Sequence, residues 1–177
     1  VAADKITPVL LAADPEFHAA GSPAQDAPTL AAHGLERGTY LFLPAHTWPH
    51  KNHRTLIEAL RVLRDRHGRR PTLICTGGAR EAQPIIEAQI AAAGLEGQVR
   101  FLGYVPRGDV PTLYRGAAAL VFPSLFEGFG MPVLEAMASG CPVVCSNTTS
   151  LPEIAGEAAL QVAPTDAEAM ASAIARL

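Results

Sequence analysis

Two carboxylates, Glu127 and Glu135, enclose seven residues, and Gly128 and Gly130 lie among them. The segment around them, PSLFEGFGMPVLE (Pro123–Glu135), follows an apolar run and opens a helical pattern. Glycines there let the backbone turn sharply and come close to a ligand. A helix starting near Met131 presents unpaired N–H groups, which suit an anion or a row of hydroxyls. Glu135 stands about one turn into that helix, so its carboxylate reaches the same crevice. A carboxylate accepting from a vicinal diol is a usual way to hold a ribose. Glu127, in the loop, is placed to accept from hydroxyls of a second ring. Spacing alone leaves a plainer alternative open. Glu127 can be a solvated loop residue, and Glu135 a solvated or capping helix residue.

A second segment, PAHTWPHKNH (Pro44–His53), also lies between an apolar run and a helical pattern. Lys51 at a helix start sits against the positive end of the helix dipole. An anionic ligand such as a diphosphate removes that conflict, and a solvated lysine is the alternative. Asn52 reads as an N-cap. His46, His50 and His53 raise a metal reading, which fails. Pro49 breaks the helical spacing of His46 and His50, and no carboxylate or cysteine lies near to complete a site. No metal site is expected. Trp48 reads as a packing residue or a lid over its loop. Thr76-Gly77-Gly78 suits either backbone amides approaching a phosphate or a tight turn. Tyr104 and Val105, after Gly103, can offer backbone to a base edge. There is no GxSxG elbow, no GxxxxGK[ST] and no GxGxxG after the first strand, so serine nucleophile, ATPase and simple dinucleotide readings are poor.

The pattern along the chain predicts what holds these loops. Strands are expected in Thr39–Ala45, PTLICT, QVRFLGYV, AAALVFPS, PVVCSN and AALQVAP. Helices are expected over Asn52–Arg66, Glu81–Ala93, Val110–Arg115, Met131–Ser139 and Asp166–Arg176, the last capped by Thr165 or Asp166. Gly68, Gly94 and Gly140 stop three of them. Ile6–Asp14 is a further candidate strand, and the Pro- and Gly-rich stretch AGSPAQDAPTLAAHG reads as loop or linker. Strands that are nearly all apolar and alternate with helices imply a doubly wound α/β domain, with about six parallel strands covered on both faces. Ligands in such sheets bind beyond the carboxyl ends of the strands, where both segments fall.

The 177 residues suit one domain with its own core. At 49% hydrophobic and 18% charged, the chain is not disordered. A net charge of −3 without basic clusters argues against nucleic acid as a partner. No apolar run approaches a membrane span, and the opening residues lack a signal-peptide pattern, so a cytoplasmic location is expected. Cys75, Cys141 and Cys145 make no disulfide framework and read as reduced structural residues.

Taken together, these segments resemble the retaining glycosyltransferases of family four, which have the GT-B fold of two Rossmann-like domains. The likeness runs from about Ile6 to Leu177 and is to the C-terminal, donor-binding domain. EGFGMPVLE is similar to that family's E-x7-E signature, SGCPVV and SLPEIAG follow it, and ADPEFHA (Ala13–Ala19) resembles the segment leading from the N-terminal domain. The resemblance implies residues 1–38 as interdomain linker and first elements, and residues 39–177 as the nucleotide-sugar-binding domain. It implies a role for Glu127 on the donor sugar, where transfer occurs. The amides of Phe129, Gly130 and Met131 would line the sugar and diphosphate, Leu134 would lie against the nucleoside, and Glu135 would bind the ribose. Lys51 matches the diphosphate lysine and Val105 the backbone position that meets the base. The family commonly has arginine five positions before the lysine. His46 stands there, a weaker anion partner that can still donate one hydrogen bond.

The implied reaction moves a sugar from a nucleoside-diphosphate donor to an acceptor with retention, using neither metal nor cofactor. The acceptor would be held by an N-terminal domain outside this chain, which also allows peripheral membrane association. The fragment alone is then expected to be inactive, cut from a longer enzyme. A non-catalytic nucleotide-binding module and a GT-B epimerase acting on a nucleotide sugar are the alternatives. Glu127, Glu135 and Lys51 together weigh against the first, while the fold alone does not separate the second.

Overall fold

The computed structural model describes Lys5, Thr7 and residues 11–177. The candidate strand Ile6–Asp14 falls largely outside the described residues, and Leu11–Asp14 has no regular secondary structure. Six strands form one parallel sheet: β1 (Tyr40–Pro44), β2 (Thr72–Thr76), β3 (Val99–Gly103), β4 (Ala119–Phe122), β5 (Val143–Ser146) and β6 (Leu160–Val162). Their order is β3-β2-β1-β4-β5-β6. The chain winds outward from β1 to β3, returns to β4 beside β1, and winds outward again. The order therefore reverses between β1 and β4, whose register pairs Leu41 with Ala119 and Phe42 with Leu120.

Burial follows strand position. Tyr40, Phe42 and Leu43 of β1 and all of β4 are fully buried, whereas every residue of β3 and β6, at the edges, is only half-buried. The near-continuous apolar runs of the central strands are what two covered faces demand. Helices α2 (His53–His67), α3 (Gln83–Ala93) and α7 (Ala167–Ala175) pack together as one layer. α1 (Pro23–Ala32), α4 (Val110–Gly116), α5 (Met131–Ala138) and α6 (Leu151–Ala155) pack in succession as the other. Gly68 and Gly94 end α2 and α3 in the left-handed conformation, as expected. Asp166 caps α7, its side chain accepting from Ala169 N at 2.9 Å. The three cysteines are buried and unpaired by disulfides, and burial pushes each thiol up.

Two helices depart from the sequence reading. AGSPAQDAPTLAAHG, expected as loop or linker, contains α1. Its stop–start composition hides a capping box, in which Ser22 and Gln25 each bond the other's backbone N–H, with Pro23 in the first turn. Asp26 anchors the helix. It is 1% exposed, and Arg115 Nη2 donates to Oδ1 at 2.6 Å while Arg37 donates to Oδ2. Burial raises its carboxyl, but Arg115 and Arg37 outweigh that and hold it below the ordinary carboxylate range. α6 was not expected, because five residues are too few to show a period.

Candidate functional site

The carboxyl ends of β1 and β4 lead into the two loops that sequence spacing had singled out. After β1 the chain makes a short 3-10 turn, Pro49–Lys51, and Asn52 then turns it into α2 with φ of 56°. Asn52 does not cap α2 with its side chain, contrary to expectation. Its Nδ2 donates to Pro123 O at 2.9 Å and to Pro164 O at 2.7 Å, and its Oδ1 accepts from Thr55 Oγ1 at 2.8 Å. The amide thus ties the β1 loop to those after β4 and β6. A backbone bond from Leu125 N to His50 O, 2.8 Å, adds a second tie.

The ties place Lys51 Nζ 2.6 Å from Glu127 Oε1, and 5.3 Å from the centre of the Phe122 ring. The two side chains are 18% and 12% exposed. Glu127 is held at both backbone ends. Its N–H donates to Thr149 Oγ1 at 3.1 Å, and its carbonyl accepts from Ser150 Oγ at 3.1 Å. Thr149 has φ of 55°, a costly conformation for a β-branched residue.

Gly130 then starts α5 with φ of 106°, and a Cβ there would come within 2.6 Å of Leu151 Cδ2. Only glycine allows both the turn and the approach to α6. The amides of Val133 and Leu134 bond back to Gly130 O, whereas those of Phe129, Gly130 and Met131 donate to nothing among the described residues. Glu135, one turn on, accepts from Tyr114 OH at 2.9 Å. Burial pushes its carboxyl up, and the Tyr114 bond and the Arg107 charge pull the other way. Arg107 is itself held by Asp14 and Glu16, each at 2.7 Å.

His46, Lys51, Gly77 and Val105 line one cavity of about 290 Å³ with Tyr104 and Val110. His46 Nδ1 accepts from Gly78 N–H at 2.8 Å, so the neutral ring carries its proton on Nε2 and remains a donor. Gly77, φ 107°, brings the β2 loop against β1: a Cβ there would lie 2.9 Å from His46 N. Its amide is occupied, donating to Gly103 O at 2.7 Å, and Gly78's is taken by His46. Gly77 therefore shapes the cavity, and neither glycine has a free amide for a phosphate. Val105, by contrast, has a backbone amide and carbonyl without partners among the described residues. Glu127 and the Phe129–Glu135 stretch, including Leu134, do not line this cavity; Glu127 meets it only through its contact with Lys51. Among the described residues no three His, Cys, Asp or Glu side chains gather as a metal cluster, and no helix is long and apolar enough to cross a membrane.

The family model of glycosyl transferases group 1 matches residues 37–177. The chain belongs to that family. O-antigen chain mannosyltransferase B of Escherichia coli is 39% identical over 97% of this chain, which spans 45% of that protein. HepE of Anabaena, crystallised with UDP and glucose, superposes with a TM-score of 0.78 at 25% identity, over 91% of this chain and 44% of that one. The separately crystallised C-terminal domain of the group 1 protein LpcC from Francisella tularensis superposes with a TM-score of 0.72 at 26% identity, covering 88% of this chain and 82% of that one. The group 1 glycosyl transferase fold here is thus the Rossmann-like C-terminal half of a GT-B architecture, and the chain spans under half the length of the mannosyltransferase.

Sequence reading of this glycosyl transferase domain missed Tyr114, Arg107, Thr149 and Ser150. Tyr114 belongs to an apolar helix and looks like core; nothing in its spacing announces the bond to Glu135. Ser150 opens SLPEIAG and Thr149 precedes it, and only the fold brings them to Glu127.

Proposed function

We propose that this domain holds a nucleoside-diphosphate sugar in the crevice between β1 and β4, for retaining transfer of the hexose to an acceptor bound by the rest of a longer protein. The observation that carries this reading is the Lys51–Glu127 contact of 2.6 Å at the point where strand order reverses. It sets a cation for a diphosphate directly beside a carboxylate for sugar hydroxyls. Lys51, His46 Nε2–H and the free amides of Phe129, Gly130 and Met131 would stabilise the negative charge that grows on the departing diphosphate. Glu127 would orient the reacting sugar. Glu135 would accept from the ribose hydroxyls, Leu134 would lie against the nucleoside, and Val105 would meet the base through its backbone. The retaining outcome rests on the likeness of Glu127–Glu135 to the E-x7-E signature. The same likeness supports a reaction without metal or cofactor, Lys51 and the α5 amides standing where a cation would otherwise offset the diphosphate.

The family, the O-antigen mannosyltransferase relative and the UDP-bound structural neighbour support this reading. Calorimetric titration of the domain with UDP, GDP and ADP tests it. One diphosphate should bind more tightly than its nucleoside. Failure of all three to bind would overturn the assignment.

A further inference from the structure

The cavity that holds His46 and Lys51 is short of positive charge for the ligand proposed there. Among the described residues Lys51 is the one permanently charged member of its lining, and the Glu127 carboxylate at 2.6 Å offsets it. A diphosphate is a multiply charged anion and calls for a cation that is not already spent. Arg107, two residues beyond Val105, is spent on Asp14 and Glu16. Arg80, in the loop after β2, is not. It is exposed, and its hydrogen-bond partners among the described residues are all neutral.

Those partners fix the side chain at the rim of the cavity. The backbone N–H of Arg80 donates to Thr47 Oγ1 at 2.6 Å, a residue only 2% exposed in the loop after β1. Nη1 donates to Ala79 O at 2.9 Å, and Nη2 donates to Tyr104 OH at 3.1 Å. The guanidinium also lies 5.7 Å from the centre of the Trp48 ring, within cation–π range. Tyr104 lines the cavity and sets its ring edge-on to His46, with centroids 5.6 Å apart. Gly78 makes room for the pair. Unlike Gly77 it has no positive φ, so what glycine supplies there is space. A Cβ at Gly78 would come within 3.1 Å of both Arg80 Nη1 and Tyr104 OH. The guanidinium is thus oriented while its charge is left whole. Two of its five N–H donors are used, and the rest suffice for a bidentate contact with phosphate oxygens.

We propose that Arg80 is a second phosphate-binding cation of this cavity, reaching the ligand from the β2 loop. That the phosphates belong to a nucleotide sugar rests on the donor reading of Lys51 and Glu127. The test is calorimetric titration of the domain and of Arg80→Ala with inorganic pyrophosphate, with UDP, GDP and ADP, and with the three nucleosides. In Arg80→Ala, pyrophosphate and the nucleoside diphosphate that binds should weaken by roughly ten-fold, and their affinity should depend less steeply on salt. Nucleoside affinity and thermal stability should change little. Arg80→Lys keeps the charge without the planar fork and should recover part of the loss. Unchanged diphosphate affinity in Arg80→Ala would overturn the role of Arg80 and leave the donor reading standing. An equal loss for the nucleoside would do the same, since it would put Arg80 on the base. Pyrophosphate binding that depends on Arg80, with no nucleoside diphosphate binding more tightly than pyrophosphate, would keep the phosphate contact and overturn the donor reading.

Discussion

Two ion pairs of this domain use the same chemistry to opposite ends. Asp26, at 1% exposure, is surrounded: Arg115 donates to both its oxygens, Arg37 adds another donor and Thr112 Oγ1 lies 3.3 Å away. Arg115 in turn donates from Nη2 to Thr112 Oγ1 at 3.0 Å. Lys51 and Glu127 are also largely buried, yet among the described residues each side chain has only the other as hydrogen-bond partner. An ammonium has three donors and a carboxylate about four acceptor positions, so most of this pair's capacity is unused. A closed network fixes α1 to α4. The open pair, at the mouth of a cavity, is left for something else to complete. Asp26 is the more deeply buried carboxylate and faces two guanidiniums, whereas Glu127 faces one ammonium at an open mouth; exposure and the number of unsatisfied positions together tell structure from site.

The largest expected effect breaks the closed network. Asp26→Ala leaves Arg115 buried without its counter-charge and should cost on the order of 3–5 kcal/mol. Urea denaturation at neutral pH measures it. The pH dependence follows from the lowered carboxyl. With a folded pKa below the ordinary 3.8, Asp26 stabilises the fold above that value, and the contribution disappears as pH falls through the folded pKa. Asp26→Asn should therefore be less stable than the parent at neutral pH and lose less in acid. Equal stability of parent and variant at pH 7 would undo the contrast.

Lys51→Ala tests the open pair and should reverse the pattern, with little loss of stability and a large loss of binding. Removing a charge-assisted contact to a diphosphate costs about 1.5–3 kcal/mol, or roughly ten- to a hundred-fold in affinity. Nucleoside affinity should barely change. A uniform loss for nucleoside and diphosphate would show that Lys51 does not serve the phosphates.

What could be read from the sequence divides along the same line. The apolar runs of β1, β4 and β5 and the glycines after α2 and α3 declare the sheet and its layers, because they are local and repeated. α1 escaped because its buried face is thin. Leu30 is its one buried large apolar residue, and the helix depends on the Asp26 network with residues far along the chain. Lys51 and Glu127 were legible as loop residues at strand ends, but their contact was not, since 75 residues of chain separate them. Asn52 looked like a cap because its type and place are those of a cap, and only the assembled fold offers it Pro123 O and Pro164 O. Gly77 looked like a source of free amides until Gly103 and His46 came beside the glycine pair.

Tyr114 links the two kinds of region, a core residue that touches the site. Tyr114→Phe removes the hydrogen bond that lowers the burial-raised pKa of Glu135. The Glu135 pKa should rise further above its ordinary value of 4.5. If the carboxylate holds the ribose, affinity for the diphosphate falls as pH drops through that pKa, and in the variant the fall begins at higher pH. At neutral pH the loss should be modest, about 0.5–1.5 kcal/mol. Calorimetry across mildly acidic pH reads the midpoint, and an unmoved midpoint would confine Tyr114 to packing.

The smallest expected change in binding is the one that divides the two glutamates. Glu135→Ala should weaken a nucleoside diphosphate and the corresponding nucleotide sugar by similar factors, because both contain the ribose. Glu127 is different: its partner in the fold is Lys51, and in the donor complex its proposed partner is the sugar. A free diphosphate must draw Lys51 away from Glu127, so the carboxylate competes with that ligand for the same ammonium. Glu127→Ala removes the competitor, and diphosphate affinity should hold or rise slightly, by less than about 1 kcal/mol, the scale of a partly screened pair. Turnover by the two-domain protein should nevertheless fall, since the contacts that orient the reacting ring are gone. Titration of the domain with diphosphate and initial rates of the longer protein measure the two halves. A loss of diphosphate affinity in Glu127→Ala as large as that in Glu135→Ala would mean that Glu127 serves the nucleotide, and that the 2.6 Å contact is a shared binding unit with no competition in it.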